Sequence, residues 1–131
     1  MKPKLLAVCL LLAAGACASG PAYGSGWTRL GERSVTDRLD HDRIDVGARR
    51  GEFNRIKLTV HRAPVDFHRV VVHYGNGTHQ NVALRATIRD GGETRTIDLA
   101  GGDRVIRSVE FWYDANTARG RTATVRLFGR H

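Results

Sequence analysis

Four segments of this chain alternate apolar and polar side chains at every second position. Their apolar positions are Ile56, Leu58 and Val60, then Val82, Leu84, Ala86 and Ile88, then Val109, Phe111 and Tyr113, and finally Val125 and Leu127. Successive side chains of a β-strand point to opposite faces, so a period of two indicates strands that are buried on one face and wet on the other. We therefore predict that these four segments form the core of an all-β domain.

Short runs of β-branched and aromatic residues between glycine-containing turns extend this pattern along the chain. The predicted strands cover residues 27–35, 43–46, 53–61, 65–74, 80–89, 94–99, 105–114 and 121–129. No segment indicates a crossover helix, and strands joined without crossover helices pair antiparallel. We predict a single antiparallel β-sandwich over residues 27–131, with about eight strands in a jelly-roll-like or Greek-key arrangement.

One turn and one strand carry more specific signals. Asn76-Gly77 predicts a two-residue hairpin turn, because a type I′ turn needs positive φ at both central residues. The pairs expected from it are Tyr74 with His79 and Val71 with Val82. This register would leave His73 and His79 on opposite faces of the sheet. Three consecutive valines before the turn predict either a strand covered on both faces or a β-bulge near Arg69.

The first residues have the pattern of a secretory signal peptide. Lys2 and Lys4 supply a positive end, residues 5–16 form an apolar run, and small residues follow. The run is too short to span a membrane. We predict a cleaved signal peptide over residues 1–17 and a flexible linker over residues 18–26, so that the folded domain is exported.

Two cleavage routes remain open at Cys17. The four residues that end at this cysteine resemble the lipobox of bacterial lipoproteins, in which the cysteine is acylated and becomes the new N-terminus. Ordinary cleavage after an Ala-x-Ala site is the alternative, and residues 14–16 or 16–18 would supply that site. The first route predicts a protein anchored by lipid to the outer membrane, and the second predicts a periplasmic protein. No cysteine follows Cys17, so we predict a domain without disulfides.

The formal net charge of the chain is +8 at pH 7, and nearly all of the positive charge is arginine. A basic surface attracts anionic partners such as lipid headgroups, acidic glycans or nucleic acid. The arginines alternate along the strands instead of clustering, which is also typical of solvated strand faces. Nucleic-acid binding would need aromatic side chains interleaved on one basic sheet, and it conflicts with export. We therefore predict no nucleic-acid partner.

A set of short motifs distributed from Trp27 onward gives the chain a family resemblance. The motifs are Leu30-Gly31, residues 51–60, residues 91–99, and then Gly102, Arg104, Ile106, Val109, Phe111 and Tyr113. In these positions the chain resembles a family of short secreted bacterial proteins classed as a domain of unknown function. The resemblance covers essentially the whole chain after the linker. It implies an export signal and a β-rich domain, and it implies no activity.

Four aspartates are the best candidates for metal ligands in the sequence. Asp37, Asp40, Asp42 and Asp45 would lie in one loop, and calcium prefers several oxygen ligands that converge from a loop. Their spacing departs from that of an EF-hand, and neighbouring arginines would pair with the acids. The histidines are scattered, without the spacing of a zinc-binding helix. A calcium- or other metal-binding secreted protein is the alternative function, and a solvated loop with ion pairs is the competing interpretation.

Little in the sequence supports catalysis. No Gly-x-Ser-x-Gly nucleophile elbow is present, and no cysteine follows residue 17. Asp98 and Glu110 would face each other across adjacent strands, as the two carboxylates of a glycosidase do, although outward carboxylates on a sheet usually face arginines. A small secreted hydrolase is therefore the third hypothesis. We predict no enzymatic activity and no cofactor.

Two aromatic side chains break the pattern of apolar residues inside and polar residues outside. If its neighbours point inward, Trp112 points outward beside Glu110, and Phe128 likewise points outward beside Arg126. Exposed rings among polar groups are typical of surfaces that bind sugars or proteins. We predict a binding face formed by Trp112, Phe128, Arg107, Arg126 and Glu110, unless a tail or loop covers the rings. The predicted function is a non-enzymatic cell-envelope module that binds a glycan, an anionic surface component or an envelope protein.

Overall fold

The structure is a computed structural model that describes residues 26–36, 40–115 and 122–131. The elements in this part of the chain are β1 (Thr28–Val35), β2 (Asp40–Asp45), a 3₁₀ helix (Ala48–Arg50), β3 (Glu52–Phe53), β4 (Arg55–His61), β5 (Val65–Tyr74), β6 (His79–Val82), β7 (Ala86–Ile88), β8 (Ile97–Asp98), β9 (Arg104–Asp114) and β10 (Ala123–Arg130). None of the described residues belongs to a helix with the length and hydropathy that crossing a membrane requires.

The strands form two antiparallel sheets. The six-stranded sheet has the order β2-β9-β5-β6, with β3 also paired to β9 and β7 paired to β5. The four-stranded sheet has the order β1-β10-β4-β8. The two sheets pack face to face over a shared apolar interior. The predicted antiparallel β-sandwich is confirmed.

The core between the sheets is built from the alternating apolar positions. Every apolar residue of the four alternating segments is buried except Ala86, which is partly buried. Aromatic rings of the six-stranded sheet meet inside this core. The ring centroid of Phe111 lies 6.0 Å from that of Phe67 and 5.7 Å from that of Tyr113. The period of two therefore identifies the buried face correctly.

Three predicted strands are divided or shortened. Residues 53–61 form β3 and β4, residues 80–89 form β6 and β7, and residues 94–99 are reduced to β8. The first division lies at Asn54, whose amide donates to the carbonyl of Arg130 and whose carbonyl accepts from the amide of Leu99. The chain thus leaves the six-stranded sheet at β3 and enters the four-stranded sheet at β4. Periodicity does not show such a change of sheet, because both sheets bury the same face of the chain.

The central strand β5 contains the irregularity that its three valines indicate. The register against β9 gives the pairs Trp112–Arg69 and Tyr113–Phe67. His68 is therefore an extra residue, and β5 has a β-bulge next to Arg69, which confirms one of the two predicted alternatives. Beyond the bulge Val71 points to the outer face of the sheet, yet it is only 3% exposed.

The hairpin between β5 and β6 has a longer turn than predicted. The observed pairs are Val70–Val82, Val71–Asn81, Val72–Gln80 and His73–His79. The amide of Gly77 donates to the carbonyl of Tyr74 at 3.1 Å, and Gly77 has a φ of 91°. The connection is a three-residue loop that ends on a left-handed glycine. The predicted register is wrong by one residue, and such a shift turns each side chain of β6 to the opposite face.

The two sheets approach closely at one inward position of β10. A Cβ added to Gly129 would lie 2.8 Å from Cδ1 of Leu30 and 2.8 Å from Cδ1 of Phe53. Leu30 and Phe53 are both 3% exposed and belong to the core. Glycine is therefore required here by close packing, since any larger side chain would displace core atoms.

Candidate functional site

The five residues predicted to form one binding face lie on two opposite surfaces. Trp112, Glu110 and Arg107 belong to β9 in the six-stranded sheet, whereas Arg126 and Phe128 belong to β10 in the four-stranded sheet. Consecutive strands are usually neighbours in a sheet, but here the chain crosses between the sheets after β9. The structure does not bring the five residues together, so the single face is corrected to two.

The face that carries Arg126 and Phe128 is a surface of paired charges. Nε of Arg126 lies 3.1 Å from Oε1 of Glu32. Phe128 is half-buried, and its cross-strand partners are Lys57 and Arg29. Exposed ion pairs of this kind are typical of solvated strands and contribute little to stability. The candidate site therefore lies on the outer face of the other sheet.

Trp112 is held between two side chains on the outer face of the six-stranded sheet. Its ring stacks on His41, with a centroid distance of 5.1 Å and an interplanar angle of 14°. The guanidinium carbon of Arg69 lies 4.6 Å from the centre of the Trp112 ring. These partners come from β2 and β5, on either side of β9. Because both neighbours occupy ring surface, Trp112 is not an open platform for stacking against a sugar.

Glu110 is bridged by two imidazoles on the same face. Its Oε1 lies 2.5 Å from Nε2 of His73, and its Oε2 lies 3.3 Å from Nε2 of His41. The side chain of Glu110 is 23% exposed, that of His73 is 26% exposed and that of His41 is 50% exposed. A neutral imidazole can donate one N–H to a carboxylate, and a protonated imidazole donates from both nitrogens and carries a positive charge. The carboxylate of Glu110 is therefore held between two side chains that can each donate to it.

The longer hairpin turn adds a third histidine to this face. His73 and His79 are direct cross-strand partners, and their ring centroids are 6.0 Å apart. The prediction that they lie on opposite faces is wrong, because the extra loop residue at the turn shifts the register of β6. Three imidazoles, those of His41, His73 and His79, thus share one surface with Glu110.

A bulge in β9 forms a cleft beside His73. The register gives the pairs Ile106–Tyr74 and Ser108–His73, so Arg107 is an extra residue. A bulge sets two successive residues opposite a single residue of the neighbouring strand. The cleft has a volume of about 280 Å³ and is lined by Arg43, Asp45, His73, Arg107, Ser108 and Glu110. The two bulge residues therefore meet the imidazole and the carboxylate described above.

The cleft contains one cation that has no ion-pair partner among the described residues. Nε of Arg43 lies 3.0 Å from Oδ1 of Asp45, and Glu110 is engaged by the imidazoles. Among the described residues no ion pair or hydrogen bond engages the guanidinium of Arg107. Ser108 lines the same cleft and is only 5% exposed. The cleft thus presents guanidinium N–H groups and a hydroxyl to an incoming acceptor.

A second cleft is larger, with a volume of about 470 Å³, but its cationic side chain is already engaged by other groups. It is lined by Ala48, Glu52, Tyr74, Gly75, Asn76, Asp103, Arg104 and Val105. The guanidinium carbon of Arg104 lies 3.8 Å from the ring centre of Tyr74, and its Nη1 donates to the carbonyl of Ala100 at 2.6 Å. Its cation is therefore already committed to partners within the domain.

The aspartate segment is a strand and not a loop. Asp40, Asp42 and Asp45 lie in β2, where successive side chains point to opposite faces. The hydroxyl of Tyr113 donates to Oδ2 of Asp42 at 2.9 Å. In the described part of the chain no group of three or more His, Cys, Asp or Glu side chains is arranged to hold a metal ion. The predicted convergence from one loop is therefore wrong for these three residues, and Asp37 lies outside the described residues.

The burial of two tyrosines makes the stability of the domain sensitive to alkaline pH. Burial, followed by the hydrogen bond to Asp42 and the negative charges of Asp42 and Asp40, raises the pKa of Tyr113 above its usual value of 10.0, against the opposing charge of Arg33. Burial also raises the pKa of Tyr74. The folded state holds both protons more tightly than the unfolded state. Their stabilising effect is thus complete below the unfolded-state pKa of about 10 and is lost as the pH rises further.

We therefore expect the urea midpoint of the domain to fall steeply above about pH 10. The measurement is urea unfolding followed by tryptophan fluorescence over a series of alkaline buffers. Tyr113→Phe removes one of the two titrating hydroxyls, so its midpoint should fall less steeply over the same range. Identical alkaline slopes for the two proteins would contradict the role of Tyr113.

The carboxylate pair of the hydrolase hypothesis does not form. Asp98 lies in β8 of the four-stranded sheet, where its Oδ1 is 3.9 Å from Nε of Arg55. Glu110 lies in β9 of the six-stranded sheet. The two carboxylates belong to different layers of the sandwich, and the expectation that they face each other across adjacent strands is wrong. The register of β9 places Arg43, and not Asp98, next to Glu110.

The sequence did not identify most of the residues in and beside the cleft as binding residues. Arg43, His41 and His73 were not among the predicted binding residues, and Ser108 carried no signal at all. The Gly75-Asn76-Gly77 tripeptide is the signal that could have placed His79 beside His73, because a loop of three residues that ends on glycine is the next most common hairpin connection. The contact between His41 and Glu110 depends on which strands are neighbours, and no local pattern gives that information.

The N-terminal predictions concern residues that the structure does not describe. The predicted signal peptide over residues 1–17, the acylation of Cys17 and nearly all of the linker precede residue 26. They stay predictions from the sequence.

Comparison with known proteins gives a family and no activity. A family model described as a domain of unknown function, DUF2541, matches residues 5–129. No curated protein and no solved structure matches the chain. The match covers every strand described above except the last residue of β10, and it includes the apolar run that precedes the domain, which confirms the resemblance to a family classed as a domain of unknown function.

Proposed function

The chain belongs to the DUF2541 family, and we propose that its domain is a non-enzymatic binding module of the cell envelope whose ligand is an acidic glycan. The proposed binding surface is the outer face of the six-stranded sheet. The observation that carries the proposal is the guanidinium of Arg107, which has no partner among the described residues and is set by a β-bulge beside Ser108 and His73.

The chemistry of the cleft matches the groups that an acidic glycan presents. A carboxylate or phosphate on a sugar is an acceptor with several oxygens, and a guanidinium donates to such a group in a fixed planar fork. Sugar hydroxyls need acceptors as well as donors, and the exposed carboxylate of Asp45 lies in the same cleft. The cleft combines one free cation, one hydroxyl and two carboxylates, a mixture that suits a polar, partly charged ligand.

The state of Trp112 determines the kind of contact that this surface can make. Both neighbours of its ring, His41 and Arg69, already occupy ring surface. Recognition would therefore depend on ionic contacts and hydrogen bonds more than on stacking. Such binding weakens with ionic strength, because salt screens exposed charges.

The proposal includes the compartment. The signal-like residues 1–17 and the linker over residues 18–26 would deliver the domain to the periplasm or, with acylation at Cys17, to the outer membrane. A domain without cysteines after residue 17 needs no disulfide formation in either place. Support for export comes from the sequence pattern. An acidic glycan as the ligand is consistent with a location in the envelope.

The test is binding of a soluble polyuronate to the domain and to its Arg107→Ala variant. Loss of a charge-assisted hydrogen bond should raise the dissociation constant by about tenfold or more. Arg55→Ala is the matched control, because it removes the same charge from the opposite sheet and should leave binding nearly unchanged. The measurement is isothermal titration calorimetry at low ionic strength, with a neutral polysaccharide of similar length as the reference ligand.

Two outcomes would contradict the proposed function. Equal binding of the acidic and the neutral polysaccharide would exclude recognition of the acidic group. Equal weakening by Arg107→Ala and Arg55→Ala would indicate attraction to net charge alone, without a site on the six-stranded sheet.

A further inference from the structure

We propose that the cleft at the β9 bulge is an oxyanion subsite whose affinity is controlled by protonation of His41 and His73. The inference rests on the proposed function and names two further properties: the group that enters the cleft and the condition under which it enters. The chemical class is a phosphate, sulfate or carboxylate group. The controlling element is Glu110, which both imidazoles contact.

The donors of the subsite come from the bulge. Arg107 and Ser108 are successive residues that both line the cleft, and the cross-strand partner of Ser108 is His73. Arg107 is exposed and Ser108 is buried, so the guanidinium is accessible from solvent while the hydroxyl lies deeper. An oxyanion in the cleft can accept from both groups, and its charge would meet the guanidinium of Arg107, the one arginine of the cleft lining that has no partner among the described residues.

The fixed charges that line the cleft cancel. Arg43 and Arg107 each supply one positive charge, while Asp45 and Glu110 each supply one negative charge. With neutral imidazoles the lining has no net charge, and Glu110 repels an approaching anion. Protonation of His73 inside the cleft, and of His41 on the other oxygen of Glu110, makes the lining positive without moving a strand. The imidazoles therefore decide whether an anion is attracted.

The charged groups that adjoin His73, Glu110 and Trp112 on this face act in the same direction or are engaged by other partners. From β6, His79 adds a third imidazole next to His73. From β5, Arg69 stacks on Trp112 and donates to Oδ1 of Asn81 at 3.1 Å. Protonation of Asp45 or Glu110 at still lower pH would also remove negative charge. No titrating group among the described residues of β2, β9, β5 and β6 on this face opposes the change.

Linkage makes the control reciprocal. If protonation strengthens anion binding, a bound anion must in turn favour the protonated imidazoles by the same free energy. The Glu110 contacts explain how the site tolerates both states, because the carboxylate accepts from neutral and from protonated rings alike. The subsite is therefore weak near neutral pH and strong in mildly acidic conditions.

Sulfate is the probe for the decisive experiment, since it keeps two negative charges throughout the range in which imidazoles titrate. Any change of affinity with pH must then come from the protein. Binding is followed by the amide resonances of Arg107 and Ser108 in two-dimensional NMR, at constant ionic strength set with chloride. We expect the dissociation constant at about pH 5.5 to be at least about fivefold lower than at about pH 7.5.

Variants distinguish Arg107, which donates to the anion, from the groups that control the affinity. Arg107→Ala should abolish the sulfate-dependent shifts at both pH values, and the control Arg55→Ala should retain them. The double variant His41→Gln with His73→Gln should lose most of the difference in sulfate affinity between the two pH values, and the small remainder should come from His79. Glu110→Gln should bind sulfate more tightly than the wild-type domain at about pH 7.5, because the repelling charge is gone. A variant whose amide spectrum is no longer that of the folded domain is replaced by Arg107→Gln or His73→Asn.

Failure of this inference differs from failure of the proposed function. An affinity for sulfate that does not change with pH, or shifts that avoid residues 107 and 108, would overturn the subsite. If a polyuronate still bound through Arg107 in that case, the proposed function would stand without it. If sulfate bound as expected while no acidic polysaccharide did, the subsite would stand and the glycan ligand would be wrong.

Discussion

Replacing Phe111 by alanine should lower the free energy of unfolding by about 4 kcal/mol. Phe111 is completely buried, and it contacts the rings of Phe67 and Tyr113 inside the sandwich. Its removal leaves a cavity that β-sheets on both sides cannot readily close, because their backbones are fixed by hydrogen bonds. A loss of this size is a large part of the total stability of a small domain. Urea unfolding monitored by circular dichroism measures it.

Phe128→Ala is the matched control for this experiment. It makes the same change on β10, but its side chain lies on the outer face and is half-buried. We expect it to lower the free energy of unfolding by less than about 1.5 kcal/mol. If Phe128→Ala were as destabilising as Phe111→Ala, the assignment of the inner and outer faces of the sandwich would be wrong.

Gly129→Val should lower the free energy of unfolding by about 3 kcal/mol through overpacking. Its Cβ alone would come within 2.8 Å of Leu30 and of Phe53, and the two methyl groups of valine would press further into the core. Valine is otherwise a favourable residue in a strand, so strand propensity predicts the opposite sign. Thermal and urea unfolding of the purified variant distinguish the two expectations.

The control for Gly129→Val is Thr124→Val, a β-branched residue placed on the outer face of the same strand. Thr124 is half-exposed, and valine there should change the stability by no more than about 0.5 kcal/mol. A smaller residue at position 53 should relieve the overpacking, so Phe53→Leu should reduce the effect of Gly129→Val in the double variant. Independent, additive effects at positions 53 and 129 would argue against the close contact.

The fold class of this domain follows from the alternation of apolar and polar residues along its strands. Alternation at positions such as Ile56, Leu58 and Val60 reflects the pleat of a single strand, and it holds wherever that strand is placed. It therefore identifies the buried face and the all-β class without any knowledge of pairing. It does not distinguish the two sheets, because strands of both sheets bury one face in the same core. This is why the change of sheet at Asn54 and the crossing after β9 were not predicted.

The candidate site was harder to predict for the same reason. Glu110, Arg107 and Trp112 were identified from one strand, since outward polar and aromatic positions can be read along β9. Their partners His41 and His73 come from strands far away in the sequence. A single additional loop residue before His79 reversed the predicted face of that histidine. Local patterns determine which side a residue faces, whereas pairing determines which residues it meets.

The position of β10 in the four-stranded sheet affects when the domain can fold relative to its synthesis. β10 lies between β1 and β4, so it bonds the first described strand of the domain to the middle of the chain. The ribosome synthesises this strand after all the other described strands. Until its residues have emerged, β1 has no neighbour in its sheet and β4 has only the short strand β8. The four-stranded sheet can therefore close only after β10 has been made, through contacts between distant parts of the chain, and such contacts slow folding.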